Sequence, residues 1–363
     1  MSMIRKLTPV AIAIAALCSA PAFAGTTSAT ASNSQSTAAN ASGNTNSSNS
    51  ATLGSTVLEH ASGNVGVNNA AGDTNQQANT TSIAAGVNTS TYSNASAMVN
   101  NTQTQVQGDS TGVSNNSNEN NAELNHHVLR DATGNVGVNN AAGDNNQQAN
   151  MTSLATANAE DSATNATANI DSDQAMSNSA VSSNESSNKA ELEGHALENA
   201  SGNVGVNNAS GSNNQQANGL AVAKADDGVA SATADADQTM NLTDEGEASS
   251  NSAMSSSSNR SSLENDVLEN ASGNVHVNNA SGDNNQQGNF LAIAVTDDNL
   301  ATASAPSSQS AMNSGSTMSN SSNTASMSGE VLQNASGNVG VNNSAGGNNQ
   351  QLNSLAIATS NGD

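Results

Sequence analysis

A phrase of about twenty residues occurs five times in this chain, and that repetition constrains the fold more than any other feature. It reads VLEHASGNVGVNNAAGDTNQQAN from Val57 and VLRDATGNVGVNNAAGDNNQQAN from Val128. It returns as ALENASGNVGVNNASGSNNQQAN from Ala196, VLENASGNVHVNNASGDNNQQGN from Val267 and VLQNASGNVGVNNSAGGNNQQLN from Val331. The Gly after Ser or Thr falls at 63, 134, 202, 273 and 337, so the steps are 71, 68, 71 and 64 residues. Self-similarity at such a period is the signature of repeat architectures, in which one unit cannot bury its own apolar face and neighbours must stack.

Within a copy, Asn64-Val65-Gly66-Val67-Asn68 alternates with period two, which is a strand signal. Ala70-Ala71-Gly72-Asp73 supplies small and turn-forming residues, so the chain bends there. Gln77, Asn79, Thr81 and Ile83 then share one face of a second strand, with Gln76, Ala78, Thr80 and Ser82 on the other. The unit reads as strand, arch, strand. A lone two-stranded element is marginal in water. Stacking the copies in register changes that. It builds apolar columns of Leu58, Leu129, Leu197, Leu268 and Leu332; of Val65, Val136, Val204, Val275 and Val339; of Val67, Val138, Val206, Val277 and Val341; and of Ile83, Leu154, Val222, Ile293 and Ile357. It also lines up Gln77, Gln148, Gln216, Gln287 and Gln351, and Asn79, Asn150, Asn218, Asn289 and Asn353, whose amides can form ladders along the stacking axis. The fold class expected is all-β: repetitive β-arches stacked like a solenoid, cross-β on assembly, joined by low-complexity linkers.

Composition explains why repetition is needed. Leu, Ile, Val and Phe make up about one residue in eight after the first two dozen, well under the roughly 20% expected of globular chains. There is no Trp, one Tyr and two Phe, so an enzyme with a deep apolar pocket is not expected. The formal charge is 6 − 30 = −24, which leaves little to meet phosphates and argues against a nucleic-acid partner. No Ser/His/Asp set has a defined spacing, and no phosphate-binding Gly loop is followed by Lys, so catalysis is not expected. No metal or other cofactor is expected either. The five histidines, His60, His126, His127, His195 and His276, have differing offsets and read as solvated loop residues. The turn acids Asp73, Asp144 and Asp283 give way to Ser212 and Gly347, which breaks any calcium-ligand row.

Residues 1–24 read as a secretory signal. Arg5 and Lys6 lead an apolar stretch from Val10 to Leu17, and Ala22-Phe23-Ala24 is a small-x-small cleavage site. Cleavage would remove both cations and the only Cys, Cys18, leaving 4 − 30 = −26. No other apolar run approaches about 18 residues, so the chain is not expected to be embedded in a membrane. Residues 25–56 read as a flexible low-complexity lead-in. The repeats occupy 57–86, 128–157, 196–225, 267–296 and 331–360, and the linkers 87–127, 158–195, 226–266 and 297–330. The linkers carry faint echoes of a β pattern of their own: Gln174-Ala175-Met176, Gln238-Thr239-Met240, and Gln309 three before Met312. The fifth copy matches the others and shows no cap, and an open sheet edge recruits further strands.

The run Ala61-Ser62-Gly63-Asn64-Val65-Gly66-Val67-Asn68, the Ala70-Ala71-Gly72 turn, and Asn-Gln-Gln-x-Asn followed by Leu-Ala-Ile (Leu355-Ala356-Ile357) resemble the subunits of Fap-type functional amyloid, the secreted fibrils of bacterial biofilms. The resemblance covers about 30 residues in each of five places, plus the leader. It implies export through a dedicated outer-membrane pore, then extracellular assembly with itself and with other fibril subunits into cross-β fibrils used for matrix and surface adhesion. The chain departs from the family pattern in carrying more repeats and in lacking a Cys-x-x-Cys near its C-terminus. A monomeric β-solenoid adhesin, or an ice- or glycan-binding surface protein, is the alternative reading, and a disordered acidic coat a third.

Overall fold

The structure is a computed structural model that describes residues 26–39, 48–88, 93–107, 119–159, 164–178, 186–242, 254–255, 258–297, 299–313, 318–319 and 322–360. The secretory leader expected over residues 1–24 lies outside the described residues. Those that are described hold only strands and turns.

The first rung is β1 (Thr26–Ala39), β2 (Ser48–Leu53), β3 (Ser62–Ala71) and β4 (Gln76–Asn88). The second is β5 (Ser93–Gln107), β6 (Glu119–Leu124), β7 (Thr133–Ala142) and β8 (Gln147–Ala159), and the third is β9 (Thr164–Asn178), β10 (Ser187–Glu193), β11 (Ser201–Ser210) and β12 (Gln215–Ala225). The fourth runs through β13 (Val229–Leu242), a two-residue β14 (Met254–Ser255), β15 (Ser258–Glu264), β16 (Ser272–Ser281) and β17 (Gln286–Thr296). The fifth comprises β18 (Ala301–Ser304), β19 (Ser307–Asn313), β20 (Met318–Ser319), β21 (Ser322–Ser328), β22 (Ser336–Ala345) and β23 (Gln350–Ser360).

Each rung gives one strand, or a broken strand, to each of four parallel sheets. Sheet I is β1-β5-β9-β13 followed by β18 and β19; sheet II is β2-β6-β10-β15-β21. Sheet III is β3-β7-β11-β16-β22, and sheet IV is β4-β8-β12-β17-β23. Pairing is in register at the repeat period: Val65 lies beside Val136, Val136 beside Val204, Val204 beside Val275 and Val275 beside Val339. The repeated phrase therefore forms sheets III and IV, and the spans between the phrases form sheets I and II. The expected flexible lead-in is corrected: β1 and β2 lie inside residues 25–56 and open the first rung. Period-two alternation survives there with Ser, Thr and Asn in place of large residues, so a reading keyed to Val and Leu passes over it.

The four sheets stack in the order II, III, IV, I. Between II and III lies a core of Leu124, Leu192 and Leu263 from sheet II, the valines of sheet III, and Leu129, Leu197 and Leu268 from the preceding turn. Between IV and I lies a second core, mostly Ala, with Met151, Ile170, Val99 and Phe290. A buried Ala contributes only about one methyl, but it forfeits no side-chain entropy and lets sheets approach closely. The arch turn from III to IV needs glycine at 72, 143, 211, 282 and 346, where φ lies between 109° and 117°. A Cβ on Gly143 would also run into the Gly211 carbonyl of the next rung, so stacking enforces glycine a second time.

Candidate functional site

The space between sheets III and IV is polar. Strand β7 turns Val136, Val138, Asn140 and Ala142 toward sheet II, and Gly137 and Asn139 toward β8. Strand β8 turns Gln148, Asn150 and Thr152 toward β7, and Gln147, Ala149, Met151 and Ser153 toward sheet I. Side-chain bonds fix these faces: Gln148 Nε2 donates to Asn140 O at 3.0 Å and Asn150 Nδ2 to Val138 O at 3.1 Å, whereas Gln147 Nε2 donates to Gln103 O at 3.1 Å. A Cβ on Gly137 would meet the Asn79 and Asn150 side chains, so glycine there lets the amides sit close, although the fourth rung carries His276 in the same column.

This polar interior is held by amide ladders. Gln77 donates to Gln148 Oε1 at 2.8 Å, Gln148 to Gln216 at 2.8 Å, Gln216 to Gln287 at 2.9 Å and Gln287 to Gln351 at 2.9 Å. Asn150 donates to Asn79, Asn218 to Asn150, Asn289 to Asn218 and Asn353 to Asn289, at 2.8 to 3.0 Å. Each amide also bonds the facing backbone, so no buried donor is wasted where water is excluded. Sequence reasoning missed further ladders. Asn139, Asn207, Asn278 and Asn342 form one, each donating to the preceding rung at 2.9 or 3.0 Å. Asn69 to Asn140 to Asn208 to Asn279 to Asn343 form another, with links of 2.8 to 3.0 Å. In sheet I, Gln103 donates to Gln35 Oε1, Gln174 to Gln103, Gln238 to Gln174 and Gln309 to Gln238. The signal for the two Asn columns was their identity in all five copies; Gln35 and Gln103 had only alternation to mark them.

The structure places the expected apolar columns in two kinds of site. The Leu58 and Val65/Val67 columns line the core between sheets II and III, on the side of sheet III away from the Gln77 and Asn79 ladders and shared with the Asn69 ladder, whose amides bond sheet II carbonyls. The column of Ile83, Leu154, Val222, Ile293 and Ile357 does not join either core: its middle members are half-buried, and Ile83 and Ile357 are 51% and 39% exposed. By the spacing that sets Asn150 against Val138, Leu154 falls against Gly134, at the first residues of the facing strand, so nothing bulky covers it. Gln174 lies beside Gln238 and Gln238 beside Gln309, whereas Met312 falls one residue out of step with Met240 and is exposed.

The histidines also differ from expectation. His276 replaces the glycine of its column and is 3% exposed, over Gly340 of the next rung and 3.3 Å from Asn338 Nδ2; burial lowers its pKa to about 4. The rings of His127 and His195 are tilted by 42° with centroids 5.1 Å apart, and His195 Nδ1 lies 2.9 Å from Glu198 and 3.0 Å from Asp266. The turn acids serve the backbone. Asp144 accepts the Asp73 amide at 2.8 Å and Asp283 the Ser212 amide at 2.7 Å. Burial raises both carboxyls to about 6. Among the described residues, the groups that could hold a cation are Glu59, His60 and Asp131, where Arg130 already pairs with both acids, and the carboxylates of Asp266, Glu269 and Glu330.

Among the described residues, no strand covers the lower edge of the stack. On β23 the side chains are exposed almost throughout, and Val339, Val341, Leu352, Leu355 and Ile357 are each 38% to 41% exposed, where their counterparts in the second to fourth rungs are buried or half-buried. Parallel in-register sheets with interior Asn and Gln ladders and an unblocked edge are the construction of cross-β fibrils. The model of the functional amyloid protein FapB/FapC family matches residues 10–118, 97–257 and 240–363. The chain belongs to that family. A stretch of 98 residues is 46% identical to functional amyloid subunit FapC of Pseudomonas aeruginosa, covering 26% of this chain and 29% of that protein. The match thus spans under a third of that relative's length. No solved structure matches. The five rungs lie in one chain, and the two ends of the stack present opposite halves of the Gln77 ladder.

Proposed function

We propose that this chain is a secreted subunit that self-assembles into extracellular amyloid fibrils, contributing to biofilm matrix and surface adhesion. Its activity is the templated addition of rungs at a fibre end. The observation that carries this is the fifth rung, whose edge, covered by no strand among the described residues, repeats the pattern that the interior rungs bury. In the fibre, the Leu58 and Val65/Val67 columns and the Gln77 and Asn79 ladders are the core, and the column of Ile83 borders it. Transit through the periplasm and an outer-membrane pore as a soluble chain suits the composition, since a chain with few large apolar residues and, without residues 1–24, a charge of 4 − 30 = −26 resists collapse before it meets a template. The test is to purify the chain without residues 1–24 and incubate it at neutral pH. Fibrils with reflections near 4.8 Å and about 10 Å are expected. Soluble monomer persisting for weeks would sink the reading.

A further inference from the structure

The strands of sheet IV are each held by two strands of sheet I. Gln147 in β8 donates to Gln103 O in its own rung at 3.1 Å and to Ala175 O in the following rung at 3.2 Å. Gln215 does the same with Gln174 and Thr239, and Gln286 with Gln238 and Ser310. The lower acceptor is always the same column: Ser36, Thr104, Ala175, Thr239 and Ser310 lie side by side in sheet I. At the bottom of the stack the pattern stops. Gln350 donates to Gln286 Oε1 at 2.7 Å, and among the described residues no sheet-I strand of a following rung stands beside it. Leu352, which takes the place of Ala149 and Ala217 in its column, is 40% exposed on that same side.

The top of the stack holds the missing piece. β1 lies one rung before β5, has no partner on its other edge among the described residues, and turns Ala29, Ala31, Asn33, Gln35 and Thr37 toward sheet IV. The ladders add a direction. Gln77 presents an acceptor oxygen at the top, and Gln351, which uses one N–H on Asn343 O, presents a donor at the bottom. Like ends would meet donor to donor, whereas unlike ends continue the ladder.

We infer that β1 is the joining strand between subunits: it docks beneath β18 and β19 of a second copy, lies against that copy's β23, and offers the Ser36 carbonyl to its Gln350. The partner is a second copy of this chain, added head to tail, and the contact is made by a segment outside the repeated phrase. This rests on the fibril-forming function proposed above.

The experiment uses fibre seeds of the wild-type chain. Elongation is measured with wild-type monomer, with an Ala29→Pro/Ala31→Pro chain, and with wild-type monomer plus a synthetic peptide of residues Thr26–Ala39. The proline chain removes backbone donors from β1 while leaving all five phrases intact, and it should elongate seeds roughly tenfold or more slowly. The peptide, which needs no folding of a variant, should slow wild-type elongation in proportion to its dose, and a Leu352→Asp chain used as seed should resist it. Elongation at the wild-type rate in both the proline and the peptide arms would overturn the inference. A wild-type chain that forms no fibres would instead overturn the proposed function on which it rests.

Discussion

Two halves of each rung obey different rules. Sheets III and IV come from a phrase that scarcely varies, and sheets I and II from spans that drift, yet all four stack in register at the same period. The difference lies in what each strand faces. Between III and IV, an amide must find an amide in the rungs on either side, as Asn150 finds Asn79 and Asn218. A change in one rung leaves a buried donor or acceptor unpaired in two others, and burying such a group without a partner is costly. Sheets I and II show one face to solvent; on the inward face one column is an amide ladder, Gln103 to Gln174 in sheet I and Asn120 to Asn188 in sheet II, and the other positions pack as small or apolar residues. Ala97 and Ala168 need only be small, and Thr102 and Asp173 on the outward face need only be polar. Identity is enforced by hydrogen bonding, and alternation suffices for packing.

The largest expected effect breaks this contrast at its centre. Replacing Gln77, Gln148, Gln216, Gln287 and Gln351 with Glu removes every donor of one ladder and sets like charges on adjacent rungs about 4.8 Å apart. Ordered β structure by circular dichroism and fibre growth should both be lost, whereas Thr167→Glu on the outward face of sheet I should shift stability by less than about 1 kcal/mol. Equal effects would mean the two halves are not built differently. Next in size is Phe290→Ala, since that ring fills the space over Gly219 and Gly288 between sheets IV and I. It should cost about 3–5 kcal/mol in denaturant melts.

Protonation sharpens the comparison within the phrase itself. Asp144 and Asp283 hold protons more readily in the stack than in the unfolded chain, so their contribution is full below about 3.8 and is lost as pH rises through about 6. His276 runs the other way: its contribution is full above 6.5 and is lost as pH falls through about 4. Asp144→Asn with Asp283→Asn should therefore stabilise the stack at pH 7 to 8, and His276→Gly should stabilise it near pH 4, as read by melts across pH. The smallest effect belongs to the outer face of sheet I. Asp173 and Asp235 have raised pKa values from partial burial and from neighbouring Asp171 and Asp237. Asp235→Asn with Asp237→Asn should relieve a few tenths of a kcal/mol, and the gain should fade as salt screens the repulsion.

How much of this was legible follows the same division. The Val and Gln columns and the faces of the second strand could be read, because Val65-Gly66-Val67 and Gln76-Gln77 recur without change. Strands β1 and β5 could not, because Ser, Thr, Asn and Ala carry alternation without a strong apolar signal, and β9 and β13 showed only as the faint Gln174 and Gln238 echoes. The spans between the phrases, which carry only an echo of a β pattern in sequence, supply the sheet I and sheet II strands of the second to fifth rungs. The burial of His276 was hidden for another reason: it depends on Gly340 standing beside it one rung away, which no local pattern shows.

The central claim is that successive copies of the phrase are neighbouring rungs of one stack within one chain. Spin labels on Ser62→Cys and Ser336→Cys test it directly, because these positions occupy one column four rungs apart. In fibres diluted with unlabelled chain, pulsed electron resonance should give a single narrow distance of about 19 Å, four strand spacings. A broad distribution, or one centred far beyond that value, would contradict the account.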